Sequence, residues 1–416
     1  MREDSKTAWK IKEQMVKFSE RLCEGLKKPQ KKFVQQMIYG IQASRDVKVS
    51  EVSRSLKEDI ALIKTETRLS RNLQHEDMDE ILEDKVLKHA ASRVTKDMVL
   101  ALDLSDIRKD FAKKMEYLAH VYDGSTGEKG VPGYWLLSVV GAQVHGTELV
   151  PLTHRIFSQE TEDFESENDE LMKAMRDVSG AVSKRGIFVI DRGGDRGKIY
   201  RFLFRERLSF VIRIDERNLL MHGTARSLAE VSRWCPCRDT VELTVNQDGS
   251  EEKKSLRVGE KIVHLPFAST VPLKLVKVVG FGKDPLFLLT DRLDKTPLEI
   301  LEMYLTRWKI EESFRFLKQA YHLEDIRVRR WQSLKNMMTL VLCVFYFVSV
   351  ELGQKVKLNI LLGKIFQKSK RFFGIPSFKH YAVVDGIYAL LFASRTGIDR
   401  ETQKPLKPLP SLFPDY

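Results

Sequence analysis

Tyr304, Arg307, Glu311 and Lys318 recur at intervals that one face of an α-helix can carry. At about 100° per residue they fall at roughly 0°, 300°, 340° and 320° around the axis. Met303, Ile310, Phe314 and Leu317 form a neighbouring apolar stripe between about 220° and 280° by the same rule. Such a helix would pack with one face and present the other. A carboxylate flanked by Arg and Lys, with an aromatic hydroxyl nearby, suits cleavage of a phosphate ester: Glu311 holds a metal while the cations meet non-bridging oxygens. The same spacing equally fits an ordinary charged helix face with ion pairs three and four residues apart. Glu312 points about 100° away from Glu311 and is set aside.

Two aspartates stand where a metal site on a sheet would need them. Asp103 ends the apolar part of Met98 to Leu104, sharing its strand face with Val99 and Ala101. Asp191 directly follows the apolar run Ile187 to Ile190 and opens Asp-Arg-Gly-Gly-Asp-Arg-Gly, whose glycines allow a sharp turn or a close backbone approach. Each could equally be a polar strand end. Asp106 and Asp195 lie close by and compete on spacing alone, with outlying or surface roles expected for both.

The elements that must position these residues can be read from periodicity. Met98 to Leu104, Trp135 to Val140 and Glu148 to Thr153 read as strands, followed by a helix near Glu167 to Lys184. A strand at Gly186 to Ile190, a helix at Lys198 to Arg205 and a strand at Phe210 to Ile214 complete the first part. Then come β segments at Val241 to Val245, Lys261 to Phe267, Lys274 to Phe281 and Leu286 to Thr290, expected as an insertion. Pro297 to Gln319 reads as one helical stretch, with a buried apolar helix at Met337 to Leu352, shorter than a bilayer span. The proline-bearing end, Lys404 to Tyr416, is expected to be an extended tail.

Residues 1 to about 95 alternate basic and apolar positions at helical spacing, with a break around Pro29. Val49 to Leu56 and Ile63 to Leu73 resemble a helix-turn-helix, with Ser50 as the N-cap of its first helix. The second helix would turn Lys64, Thr65, Thr67, Arg68 and Arg71 outward and Ile63, Leu69 and Leu73 inward. A solvated helix in a bundle is the competing reading.

Lys and Arg exceed Asp and Glu by 12 over 416 residues, and the excess recurs along the chain. That favours a polyanionic partner such as nucleic acid. Four cysteines, Cys23, Cys235, Cys237 and Cys343, make no disulfide framework and fit a reducing compartment. Cys-Pro-Cys without a second pair argues against structural zinc. The charged start, Met1 to Lys12, lacks the features of a secretory signal.

Taken together these segments resemble the cut-and-paste DDE transposases of bacterial insertion sequences, in particular the insertion sequence 4 family. Its signature is Tyr, two residues, Arg, three residues, Glu, six residues, Lys; Tyr304, Arg307, Glu311 and Lys318 match every interval. The resemblance spans about residues 25 to 390. It implies an α/β, ribonuclease-H-like mixed-sheet core with a β-rich insertion and an N-terminal all-helical domain. The expected division is 1–95 helical and DNA-binding (helix-turn-helix at 49–73), 96–214 first part of the core, 215–295 insertion, 296–355 end of the core, and 356–416 a basic helical region with its tail.

On that likeness Asp103, Asp191 and Glu311 are catalytic, and Tyr304, Arg307 and Lys318 contact the phosphates of the transposon ends. A ligand set of carboxylates favours two Mg²⁺ ions, with Mn²⁺ as substitute. The expected partner is double-stranded DNA, both transposon ends and target, bound by a homodimer in the bacterial cytoplasm, at the nucleoid and away from membranes. A hairpin intermediate would need a flipped base, for which Trp234 in the insertion is a candidate stacking partner, simple packing being the alternative. A DNA-binding regulator that has lost catalysis, and a ribonuclease-H-like nuclease that does not join strands, are the rival functions.

Overall fold

The computed structural model describes residues 2–124, 126–247, 250–352, 356–369, 379–394 and 396–398. The expected tail at Lys404 to Tyr416 lies outside them.

Five helices come first: α1 (Arg2–Leu22), α2 (Lys28–Ser44), α3 (Val49–Ser55), α4 (Leu62–Asn72) and α5 (Met78–Ala91). Pro29 sits in the first turn of α2, where a missing N–H costs nothing. Ser50 does not cap α3. The N-cap is Lys48, two residues earlier, whose N–H is held by the Asp46 carboxylate at 2.8 Å. The expected faces of α4 are also corrected at two positions: Thr65 is buried (2% exposed) and Ile63 is exposed (66%). The cause is Glu58 in the α3–α4 loop, which accepts the Thr65 hydroxyl at 2.7 Å and the Arg68 guanidinium at 2.7 and 2.8 Å. Rotating the helix to satisfy that half-buried carboxylate turns Ile63 out.

The central sheet follows: β1 (Val99–Arg108), β2 (Ala119–Tyr122), β3 (Lys129–Ala142), β4 (Leu149–Phe157), α6 (Glu167–Ala181), β5 (Ile187–Ile190), α7 (Gly197–Glu206) and β6 (Phe210–Ile214). β3 pairs antiparallel with both β1 and β4, whereas β5 runs parallel to β1 and to β6. Three antiparallel strands continued by two parallel ones make the mixed, ribonuclease-H-like core. β5, with a parallel neighbour on each side, is buried throughout, as a strand covered on both faces must be.

The chain then adds β7 (Asn218–Met221), β8 (Thr224–Ser227), α8 (Leu228–Arg233), β9 (Asp239–Gln247), β10 (Ser250–Leu265), β11 (Ala268–Val279) and β12 (Leu286–Thr290). These strands extend the core sheet, because β12 pairs with β6 and hands on to β11 and β10. β2, β7, β8 and α8 are short elements that periodicity missed.

After the sheet come α9 (Pro297–Thr306), α10 (Trp308–Ala320), α11 (Trp331–Tyr346), α12 (Val356–Gln367) and α13 (His380–Phe392). The single helix expected over Pro297 to Gln319 is therefore two, meeting at Arg307. Around that residue the N–H groups bond three residues back, Arg307 to Tyr304 at 3.1 Å and Ile310 to Arg307 at 2.9 Å, a tightened turn. α11 and the wider turn that continues it (Phe347–Glu351) form a helical run of 21 residues, 89% of whose apolar window is buried inside the fold. It packs against α2, α5 and β4, so the N-terminal helices and the sheet share one hydrophobic core. The ring of Phe18 in α1 stacks on Tyr346 at 6.0 Å across that seam.

Candidate active site

The register of the parallel strands places the two aspartates side by side. Leu102 of β1 is opposite Ile190 of β5, so the next residue on each strand is Asp103 and Asp191. Asp191 directly follows the last residue of β5, whereas Asp103 stands midway along β1, one residue past the end of the parallel pairing, so the strand end expected there is a mid-strand position. The Asp191 carboxylate accepts the Gly193 N–H at 2.7 Å, closing a one-turn 3₁₀ helix over Arg192–Gly194. Gly194 is required there, since a Cβ on it would lie 2.6 Å from Ile190 Cγ2.

Glu311, on the first turn of α10, faces the same cleft of about 740 Å³, together with Asp103, Asp106, Asp191, Arg315 and Lys318. Glu312 pairs instead with Arg315. Arg307 is buried (6% exposed) and bridges two of the three carboxylates: it donates from Nη1 to Asp103 Oδ2 and from Nη2 to Glu311 Oε1, each at 2.7 Å. Its guanidinium also lies 5.6 Å from the centre of the Tyr304 ring, itself buried (3% exposed). Tyr304 and Arg307 thus stand behind the cleft and not on a common exposed face with Glu311. The tightened turn at the helix junction separates them from the face that an unbroken helix would have given.

Burial pushes the Asp103 carboxyl up to about 7 against the pull of Arg307, with the negative charges of Asp191 and Glu311 adding to the rise. The three carboxylates are therefore electrostatically coupled. Lys318 Nζ meets Asp106 Oδ2 at 3.2 Å and Glu324 Oε1 at 3.0 Å. Asp106 is thus a buried partner of a cleft-wall cation. Asp195 is turned elsewhere, held by Arg217 and by the Tyr200 hydroxyl at 3.1 Å.

The donor set of Asp103, Asp191 and Glu311 is purely carboxylate oxygen, which suits a hard divalent cation and not zinc. Among the described residues no group of three or more His, Cys, Asp or Glu is arranged so that it could hold a metal ion as it stands. Arg307 donates to both Asp103 and Glu311, so the pair accepts positive charge between its oxygens, and it is the all-carboxylate chemistry of the donor set that fits a hard divalent ion.

Of the other sequence candidates, Lys64 and Arg71 are exposed on α4 and, with Ile63 and Arg68, line a shallow groove. Arg68 is held by Glu58 and, at 2.6 Å, by Gln36. Trp234 ends α8 with 58% of its surface exposed, so it is not simply packed. Cys23, Cys235, Cys237 and Cys343 are all unpaired. Sequence reasoning missed Arg315, Tyr122 and Glu167 in the cleft wall. Arg315 had a usable signal, being four residues beyond Glu311 on one helix face.

The profile of the family described as "Transposase DDE domain" matches residues 95–347, a span that contains all three carboxylates. Among solved structures the chain is similar to one titled "Cryo-EM structure of piggyBac transposase synaptic complex with hairpin DNA (SNHP)", at a TM-score of 0.47 and 10% identity, over 97% of this chain and 82% of that one. No curated protein matches it.

Proposed function

The chain belongs to the transposase DDE-domain family, whose members are metal-dependent enzymes that cleave nucleic acid, and from that premise we propose that it is a cut-and-paste DNA transposase. In this reading it binds the inverted-repeat ends of a mobile element, hydrolyses the DNA there, passes through a hairpin and joins the ends to target DNA. The observation that carries it is the side-by-side placement of Asp103 and Asp191 on adjacent parallel strands, with Glu311 on the facing helix.

Asp103, Asp191 and Glu311 would hold Mg²⁺ or Mn²⁺. When bound, such ions activate the attacking oxygen and stabilise the departing one. Lys318, anchored by Asp106 and Glu324 at the cleft wall, positions a non-bridging phosphate oxygen, and Arg315 supplies a second cation from the next helical turn. Arg307 and Tyr304 reach the phosphate only when Arg307 leaves its carboxylate partners. Lys64 and Arg71 contact DNA phosphates from α4, with Arg68 setting the helix. Exposure of Trp234 supports its role as a stacking platform for a flipped base. Two ends must be processed together, so a homodimer on DNA is the working assembly, acting at the nucleoid of a bacterial cytoplasm.

The test is to incubate the protein with Mg²⁺ and labelled duplexes carrying candidate inverted repeats and to resolve nicks, hairpins and joined strands. Nicks alone would favour a nuclease, and binding without cleavage a regulator. Glu311→Gln is expected to abolish cleavage while end binding persists; cleavage by that variant would overturn the assignment of Glu311.

A further inference from the structure

The loop between β1 and β2, residues 109–118, carries Phe111 at its tip with 96% of its surface exposed. A phenylalanine that makes almost no contact is unusual, and here it stands among cations. Lys113 and Lys114 are exposed on the same loop, and Arg327, Arg329 and Arg330 are exposed on the segment against which the loop is moored. Of these, Lys113, Lys114, Arg329 and Arg330 have no ion-pair partner among the described residues.

Both roots of the loop are fixed. At the first, Lys109 is buried and donates to the carbonyls of Glu324 and, at 3.1 Å, Ile326. At the second, the Glu116 N–H donates to the Arg329 carbonyl at 2.9 Å, and the Glu116 carboxylate accepts the Trp331 N–H at 2.7 Å. The Tyr134 hydroxyl adds a bond to the Glu116 carbonyl at 2.7 Å. A tip between two clamped roots presents its side chains at a set place. The first root adjoins the cleft wall: Glu324, which anchors Lys109 through its carbonyl, pairs through its carboxylate with Lys318, and Tyr122 of the next strand lines the cleft.

We propose that this loop docks on the double-stranded DNA leaving the cleft, with Phe111 seated as an apolar wedge against a base step and the surrounding Lys and Arg side chains on flanking phosphates. An exposed aromatic on a loop with two exposed lysines, beside a segment with three exposed arginines and with its acidic neighbour Asp110 paired to Arg108, matches a polyanion with apolar base faces. A protein partner would call for a contiguous apolar patch. The inference rests on the reading of the cleft as a DNA-cleaving site.

The experiment uses the full chain and a short random-sequence duplex, followed by fluorescence anisotropy from about 50 to 200 mM salt. Phe111→Ala is expected to weaken binding roughly tenfold with an unchanged salt slope. Lys113→Ala with Lys114→Ala should lower the slope of log affinity against log salt by about 2. Phe111→Trp should give emission in excess of that of the wild type, with its five tryptophans, and duplex DNA should quench that excess. Thermal unfolding should be unchanged in each, the replaced groups being exposed. Wild-type affinity and slope in the first two variants, with unquenched emission in the third, would overturn the inference while leaving the Glu311→Gln cleavage test intact. Salt-insensitive binding by the wild type would remove both.

Discussion

Arg307 reaches across 204 residues of sequence to donate to Asp103 at 2.7 Å, and it does so from the junction between two helices. Its other Nη donates to Glu311, while its Nε is buried without an acceptor. One cation thus offsets the mutual repulsion of carboxylates that a metal would otherwise share. Arg307→Ala should destabilise the protein by about 3 kcal/mol, because it leaves the half-buried Asp103 without its charge partner. If metal and guanidinium compete for the same oxygens, Mn²⁺ should raise the melting temperature of the variant by more than that of the wild type. Equal shifts would show that the two cations do not exclude each other.

Proton and metal also compete at Asp103. Its carboxyl is raised to about 7 by burial, so in the folded protein a proton is held well above the usual carboxylate range. A ligand must lose that proton to bind a cation, and Mn²⁺ affinity should therefore rise between about pH 6 and 8. In Arg307→Ala the rise should move to higher pH, since the guanidinium opposes the upward shift. Calorimetric titration with Mn²⁺ at several pH values reads both effects, and a flat wild-type profile would contradict the first.

On α4 the basic residues divide by their partners. Arg68 is tied to Glu58 and Gln36, whereas Lys64 and Arg71 point to solvent. Arg68→Ala should cost about 1–2 kcal/mol of stability through lost charged hydrogen bonds. Lys64→Ala and Arg71→Ala should leave stability within about 0.5 kcal/mol and each lower the salt slope of DNA binding by about 1. Denaturant unfolding and anisotropy separate the two classes. Unaltered DNA binding in both exposed-site variants would remove α4 from the interface.

Much of the site was legible because strand ends and helix faces are local signals. Asp103 and Asp191 each follow an apolar run, which places Asp191 at the end of β5, while β1 runs on past Asp103 to Arg108 because its pairing with β3 continues; their adjacency needed only the parallel pairing of β1 and β5. The break at Arg307 was not legible, because no Pro or Gly marks it. Its local signature is a pair of hydrogen bonds reaching three residues back, while its tertiary setting is the distant carboxylate of Asp103. Ile63 and Thr65 exchanged faces for a similar reason, the pull of Glu58 outweighing the apolar pattern of α4. Short strands such as β7 and β8, four residues each, hold too few residues for alternation to show.

His154 makes the acid side of stability testable. It lies on β4 opposite Ser138 and 5.7 Å from the ring of Phe345, and neither ring nitrogen has a hydrogen-bond partner. Burial lowers its pKa to about 3, so it stays neutral in the folded chain while the unfolded chain protonates near 6.5. Below that value the unfolded state binds more protons, so the contribution is fully present above about pH 6.5 and is lost progressively as pH falls towards 3. At pH 5 the loss from this one residue is about 2 kcal/mol relative to neutral pH. His154→Phe fills the site with a ring that needs no partner, and it should unfold at equal or higher urea at pH 7.5. The gap should widen by about 2 kcal/mol at pH 5. His380, also lowered to about 3 by burial, would keep a residual acid sensitivity in the variant. Parallel urea curves for wild type and variant at both pH values would show that His154 does not titrate with unfolding.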